Sequence, residues 1–175
     1  MQQKEDVSAE AVTTVVECLK ENGINLVSSL PSSQIHAVIH TIMEDEDFIH
    51  VPVANELEAI AIAAGAWMGG KTPAIILQNS GLVMALYALL DALYFYGGFP
   101  MLLIVEHKGD FYDNSGYWYY GYGIQLPKIL DNFQIFYSVV RESKNLKTEL
   151  TAAQNTAVAS GKPAAILLSR EAMKA

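Results

Sequence analysis

Hydrophobic positions follow two alternating rhythms along this chain: short continuous apolar runs, and longer stretches with apolar residues three and four apart. Val12, Val15, Val16 and Leu19 keep the helical spacing behind Asp6 and Ser8, and Gly23 ends it. A strand over residues 24–29 follows, then a turn at Leu30-Pro31-Ser32-Ser33. A second helix, carried by Ile35, Val38, Ile39 and Ile42, runs to Glu44. Residues 48–53 form the next strand and lead to Asn55, an N-cap for a third helix, with Glu58 placed to complete a capping box. Over residues 57–68 every face but that of Glu58 is apolar or small, which predicts a helix buried all round.

The run over residues 73–78 is short, apolar and uninterrupted, as in a parallel strand covered on both faces. Asn79-Ser80-Gly81 turns it into a helix over residues 82–96, which Gly97 and Gly98 stop before a fourth strand at 101–106. Residues 107–123, rich in glycine and aromatic side chains, predict an irregular segment. It is too long for an ordinary connection and is therefore expected to be functional or ordered by a partner. A short helix at 126–130, a strand at 135–139, a helix at 144–159 and a strand at 164–169 complete the pattern. Strands alternating with helices across short polar turns predict an α/β fold of three layers, a mostly parallel sheet of about six strands with helices on both faces. No repeat, low-complexity tract or linker divides residues 1–175, so a single domain is expected.

Composition adds a hint of company. The chain is 51% hydrophobic and only 17% charged, against a usual charged share of about 25%, so part of its apolar surface is expected to be covered by another chain. A formal net charge of -8 argues against nucleic acid and anionic membranes, which need clustered Lys and Arg. Residues 82–105 are long and apolar enough to suggest a membrane span, but Asp91, Gly97, Gly98 and Pro100 break them into helix, turn and strand. Cys18 is the one cysteine, and the first residues lack the features of a leader, so a cytoplasmic protein is expected.

In an open parallel sheet, ligands gather at the carboxyl ends of the strands. Four turns there carry polar groups, over residues 30–34, 53–56, 78–81 and 107–110. Singly each reads as a helix cap; together they mark a site. Within them Glu56 has no capping task. The helix dipole favours its charge while burial opposes it, so a solvated carboxylate and a catalytic one are both open, and spacing alone favours the first. No G-x-G-x-x-G, phosphate loop or G-x-S-x-G elbow is present, which removes support for nucleotide-binding and esterase readings. His36 and His40 share a helix face at a metal-pair spacing, but no glutamate stands beside His36 as in a metalloprotease, and no metal is assigned to this chain.

Asn55-Glu56-Leu57 leading to Ala63-Ala64-Gly65, then residues 73–82 ending in Gln78-Asn79-Ser80-Gly81-Leu82, then Pro100-Met101-Leu102-Leu103-Ile104, resemble the pyrimidine-binding domain of thiamine-diphosphate-dependent decarboxylases. Within that family the sequence is most similar to the sulfopyruvate decarboxylase alpha subunits and the phosphonopyruvate decarboxylases. The likeness covers nearly the whole chain, and Leu30-Pro31-Ser32-Ser33 stands where the family has its first active-site turn.

The resemblance implies that Glu56 shares a proton with the aminopyrimidine of thiamine diphosphate and so activates it. Gln78, Asn79, Ser80 and Gly81 would bind the cofactor, Pro31, Ser32, Ser33 and Lys108 the substrate, and His107 would return a proton after carbon dioxide leaves. The family's diphosphate half, Gly-Asp-Gly with a downstream Asn-Asn, has only Gly109-Asp110 here. The resemblance therefore implies an alpha subunit that shares the cofactor with a separate beta subunit, which would hold Mg2+, in a hetero-oligomer such as α2β2. The substrate implied is a 2-oxo acid, and the aromatic run over residues 111–122 reads equally as a pocket wall or a subunit interface. Acyloin-forming carboligation and a non-catalytic scaffold role are the alternative functions.

Overall fold

Side chains alternate across a strand, so a strand sandwiched between two helical layers is apolar along most of its length. The computed structural model, which describes residues 7–95, 98–111, 113 and 116–174, is built on that rule. Its strands are β1 (Leu26–Ser29), β2 (Ile49–Pro52), β3 (Pro73–Gln78), β4 (Leu102–His107), β5 (Phe136–Val140) and β6 (Ala164–Ser169). All pair in parallel, in the order β2-β1-β3-β4-β6-β5. The interior strands are buried on both faces, whereas the edges β2 and β5 are only partly covered.

Helices α1 (Ala9–Glu21), α2 (His36–Met43) and α7 (Leu146–Ser160) cover one face and meet Ile76, Ile104 and Ile166 from the sheet. The other face carries α3 (Glu56–Met68), α4 (Asn79–Met84), α5 (Leu86–Leu90) and α6 (Tyr117–Asn132), packed on Ile75, Leu77, Leu103, Val105 and Leu167. Among the described residues no helix is long and apolar enough to cross a membrane.

Register places the strand ends at one level. Ser29 lies opposite Pro52 and Ile76, Gln78 opposite Glu106, and Glu106 opposite Leu168. The chain leaves β1 towards β2 but β3 towards β4, in opposite directions along the sheet. That reversal opens a crevice at the carboxyl ends of β1 and β3, and the turns into α2, α3 and α4 border it.

Four expectations are corrected. The α3 helix is not buried all round: it packs through Ala59, Ile60 and Ala63, while Leu57 and Met68 are 42% and 75% exposed. Asn79-Ser80-Gly81 is not a turn but the start of α4. The helix expected over residues 82–96 is split at Ala85 into α4 and α5 and closes in a π-helical turn, Asp91–Phe95; Tyr96 and Gly97 lie outside the described residues.

The fourth correction concerns the aromatic segment. Its second half is helical, because α6 begins at Tyr117 and absorbs the short helix expected at 126–130, with Pro127 inside it. Gly123 serves close packing here: a Cβ on it would collide with the backbone of Gly109 and Asp110. Gly109 in turn has φ +81°, a left-handed conformation that favours glycine.

Candidate active site

Glu56 and Glu58 leave the same helix end for different tasks. The Asn55 side chain accepts a hydrogen bond from Glu58 N–H at 3.0 Å, and Glu58 reaches back to accept one from Ala54 N–H at 2.8 Å. Glu58 thus caps the helix one residue earlier than a standard capping box would. Glu56 is half-buried in the first turn, where the helix dipole favours its charge, and its carboxylate takes no hydrogen bond from a described residue.

That carboxylate lies against Gly81 in the first turn of α4, so close that a Cβ there would stand 2.7 Å from Glu56 Cγ. Asn79, fully buried, spends its side chain inside the chain. Its amide donates to Lys108 O at 2.6 Å, and its oxygen accepts from Ser80 N–H at 3.0 Å. Ser80 and Gln78 are half-buried beside it.

A second carboxylate, Glu106, was not singled out by sequence reasoning. It is the next-to-last residue of β4, between Val105 and His107, and is fully buried. Ser32 Oγ donates to it, Ser33 Oγ donates at 3.2 Å, Gln34 N–H at 3.0 Å, and Lys108 Nζ lies 2.7 Å away. Lys108 Nζ also donates to Ser33 Oγ at 2.7 Å and stands 5.1 Å from the centre of the Tyr119 ring. The cation expected to meet substrate is therefore already matched by a buried carboxylate. The available signal was an acidic residue directly after the continuous apolar run Leu102-Leu103-Ile104-Val105.

Through these contacts the four expected turns meet. Glu106 and Lys108 tie the β1–α2 turn to the end of β4, Asn79 ties α4 to Lys108, and Gly81 carries Glu56. Pro31, Ser32 and Ser33 line a groove of about 510 Å³ with Ser29, His36 and His50, where the His50 ring and Ser29 Oγ are 2.8 Å apart. Among the described residues no cluster of three metal-ligating side chains exists.

His107 stands apart from this groove. It is 1% exposed, with Nε2 3.7 Å from Asp110, which also pairs with Arg141. Burial lowers its pKa, Asp110 opposes that shift, and Arg141 adds to it, so the ring is held neutral.

The family model described as the thiamine pyrophosphate enzyme, N-terminal TPP binding domain, matches residues 9–120. The chain belongs to this family. Relatives named sulfopyruvate decarboxylase subunit alpha include one from Methanococcus maripaludis, 33% identical over 100 residues, or 57% of this chain and 59% of the relative. Another, from Methanothermobacter thermautotrophicus, is 40% identical over 91 residues, or 52% and 54% of the two chains. The chain thus spans little more than half the length of these curated relatives. A solved structure of a protein from Mycobacterium smegmatis shares the fold with a TM-score of 0.73 at 17% identity, over 97% of this chain and 32% of that one.

The site fits the cofactor of a thiamine pyrophosphate enzyme domain on its own geometry. Gly81 leaves a cradle that a Cβ would fill, and the carboxylate of Glu56 lies in it without a donor from the described residues. A carboxylate so placed suits a ligand that presents a protonatable nitrogen.

Proposed function

We propose that this chain is the pyrimidine-binding, alpha-type half of a thiamine-diphosphate-dependent 2-oxo acid decarboxylase that works with a separate diphosphate-binding subunit. The observation that carries the reading is Glu56, a half-buried carboxylate at a helix N-terminus, seated on Gly81 and left without a protein partner among the described residues. Glu56 holds and moves the proton at the cofactor's aminopyrimidine nitrogen. Gln78 and Ser80 line the same turn, while Asn79 and Gly81 shape it. When bound, thiamine diphosphate supplies the electron sink for loss of carbon dioxide.

The names of these relatives support a 2-oxo acid substrate and a partner subunit. The partner reading gains support from apolar surface left bare: Leu57 and Met68 on α3, and Tyr117, Trp118 and Tyr120 on α6, which are 87%, 60% and 51% exposed. Pro31, Ser32 and Ser33 are the proposed substrate contacts, with Lys108 acting through its bond to Ser33 rather than as a free cation. Mg2+ belongs to the partner in this reading. The work is proposed to take place in the cytoplasm.

Calorimetry and a carbon dioxide assay test the proposal together, with the chain alone and with its partner subunit, Mg2+, thiamine diphosphate and a panel of 2-oxo acids. We expect cofactor retention and carbon dioxide release only from the mixture. Tight stoichiometric cofactor binding by this chain alone refutes the two-subunit reading, and a mixture that binds cofactor yet acts on no 2-oxo acid refutes the decarboxylase reading.

A further inference from the structure

Nothing in the backbone requires glycine at position 81. It lies inside α4 without a positive φ, a place where glycine is a poor choice because it gives up more conformational freedom than alanine. What a side chain would meet there is Glu56: a Cβ would stand 2.7 Å from Cγ, 2.8 Å from Cδ, and nearer still to Oε1. Gly109 and Gly123 are different, since a Cβ on either would meet main chain. At Gly81 the three nearest atoms all belong to a single carboxylate side chain.

We infer that Gly81 is a positioning residue for Glu56: its missing Cβ is the seat in which the carboxylate lies. The inference rests on the proposed role of Glu56. No described residue donates a hydrogen bond to that carboxylate, so shape does the work that hydrogen bonds would otherwise do. The obstructed atoms are the far end of a flexible side chain. Alanine at position 81 is therefore accommodated by rotation of Glu56, at little cost to the fold, and the carboxylate is moved from the place where it meets the cofactor nitrogen. Stability and activity should respond with opposite signs, which a residue needed only for packing would not produce.

The experiment is a double-mutant cycle between Gly81→Ala and Glu56→Ala, read by thermal unfolding of the full chain, with steady-state kinetics of Gly81→Ala and Glu56→Gln in the assembled complex. We expect Gly81→Ala to keep or raise the melting temperature and to raise it further when Glu56 is already alanine. In the complex its kcat should fall by about a hundredfold, the scale of an ångström's misplacement of a reacting group, with KM little changed. An equal melting shift in both backgrounds overturns the inference. So does parental kcat for Gly81→Ala in a complex that Glu56→Gln inactivates. Parental activity in Glu56→Gln overturns instead the reading on which the inference rests.

Discussion

Glu106 is a fully buried carboxylate whose neighbours are Ser32, Ser33, the Gln34 N–H and Lys108. Removing one partner of such a pair strands the other charge in the interior. Glu106→Gln should cost about 3–5 kcal/mol, read by urea denaturation, and adding Lys108→Met should recover part of the loss; a cost below about 1 kcal/mol would contradict the pairing. His107 makes a second prediction. Its pKa is lowered from 6.5 chiefly by burial, so as the pH falls the unfolded chain takes up a proton that the folded chain refuses. Stability is full above about pH 6.5 and is lost as the pH falls from there through the lowered folded value. Denaturation followed from about pH 7.5 to about pH 5 should show that decline, and His107→Gln should flatten it. A residual slope is expected from His50, whose pKa burial also lowers; an unchanged slope in the variant contradicts the account. Glu56 stood out in the sequence as a candidate because its signal is local, an acid beside a cap that already has its residues. Glu106 did not, since the fold brings its Ser32 and Ser33 partners from more than 70 positions away.

At the scale of elements, α6 makes the clearest prediction. Gly123 passes so close to Gly109 that Gly123→Ala has to push main chain rather than a side chain, and should destabilise by about 1–3 kcal/mol, the usual penalty of overpacking. Thermal unfolding checks it, and a neutral or stabilising effect would show that α6 does not pack on the β4–α6 loop as described. Strands β3, β4 and β6 and helices α1 and α7 were readable because their signals are internal: continuous apolar runs for buried strands, three-and-four spacing for the helices. The start of α6 was hidden because Gly121 and Gly123 look like breakers in one dimension, although Gly123 is a contact in three. The bare side of α3 misled for a related reason. Apolar composition states that a face avoids water without stating which chain covers it, and Leu57 and Met68 are uncovered within this one.

The whole molecule is a parallel sheet whose strand order reverses beside the turns that carry Glu56, Gly81 and Ser32. That topology explains how residues scattered from position 32 to position 108 reach one edge, and why the order of elements alone was enough to place them there. The partner reading depends on this scale too, because the bare aromatic residues of α6 and the bare side of α3 belong to the same layer of the sheet. At the centre of the account stands Glu56, with Gly81 as its proposed seat and the cofactor as its proposed partner. The direct measurement is carbon dioxide release by the assembled complex with thiamine diphosphate and Mg2+, comparing Glu56→Gln with the parent. A loss of at least about a hundredfold in kcat, with the complex still formed, is the predicted result; activity equal to the parent would contradict it.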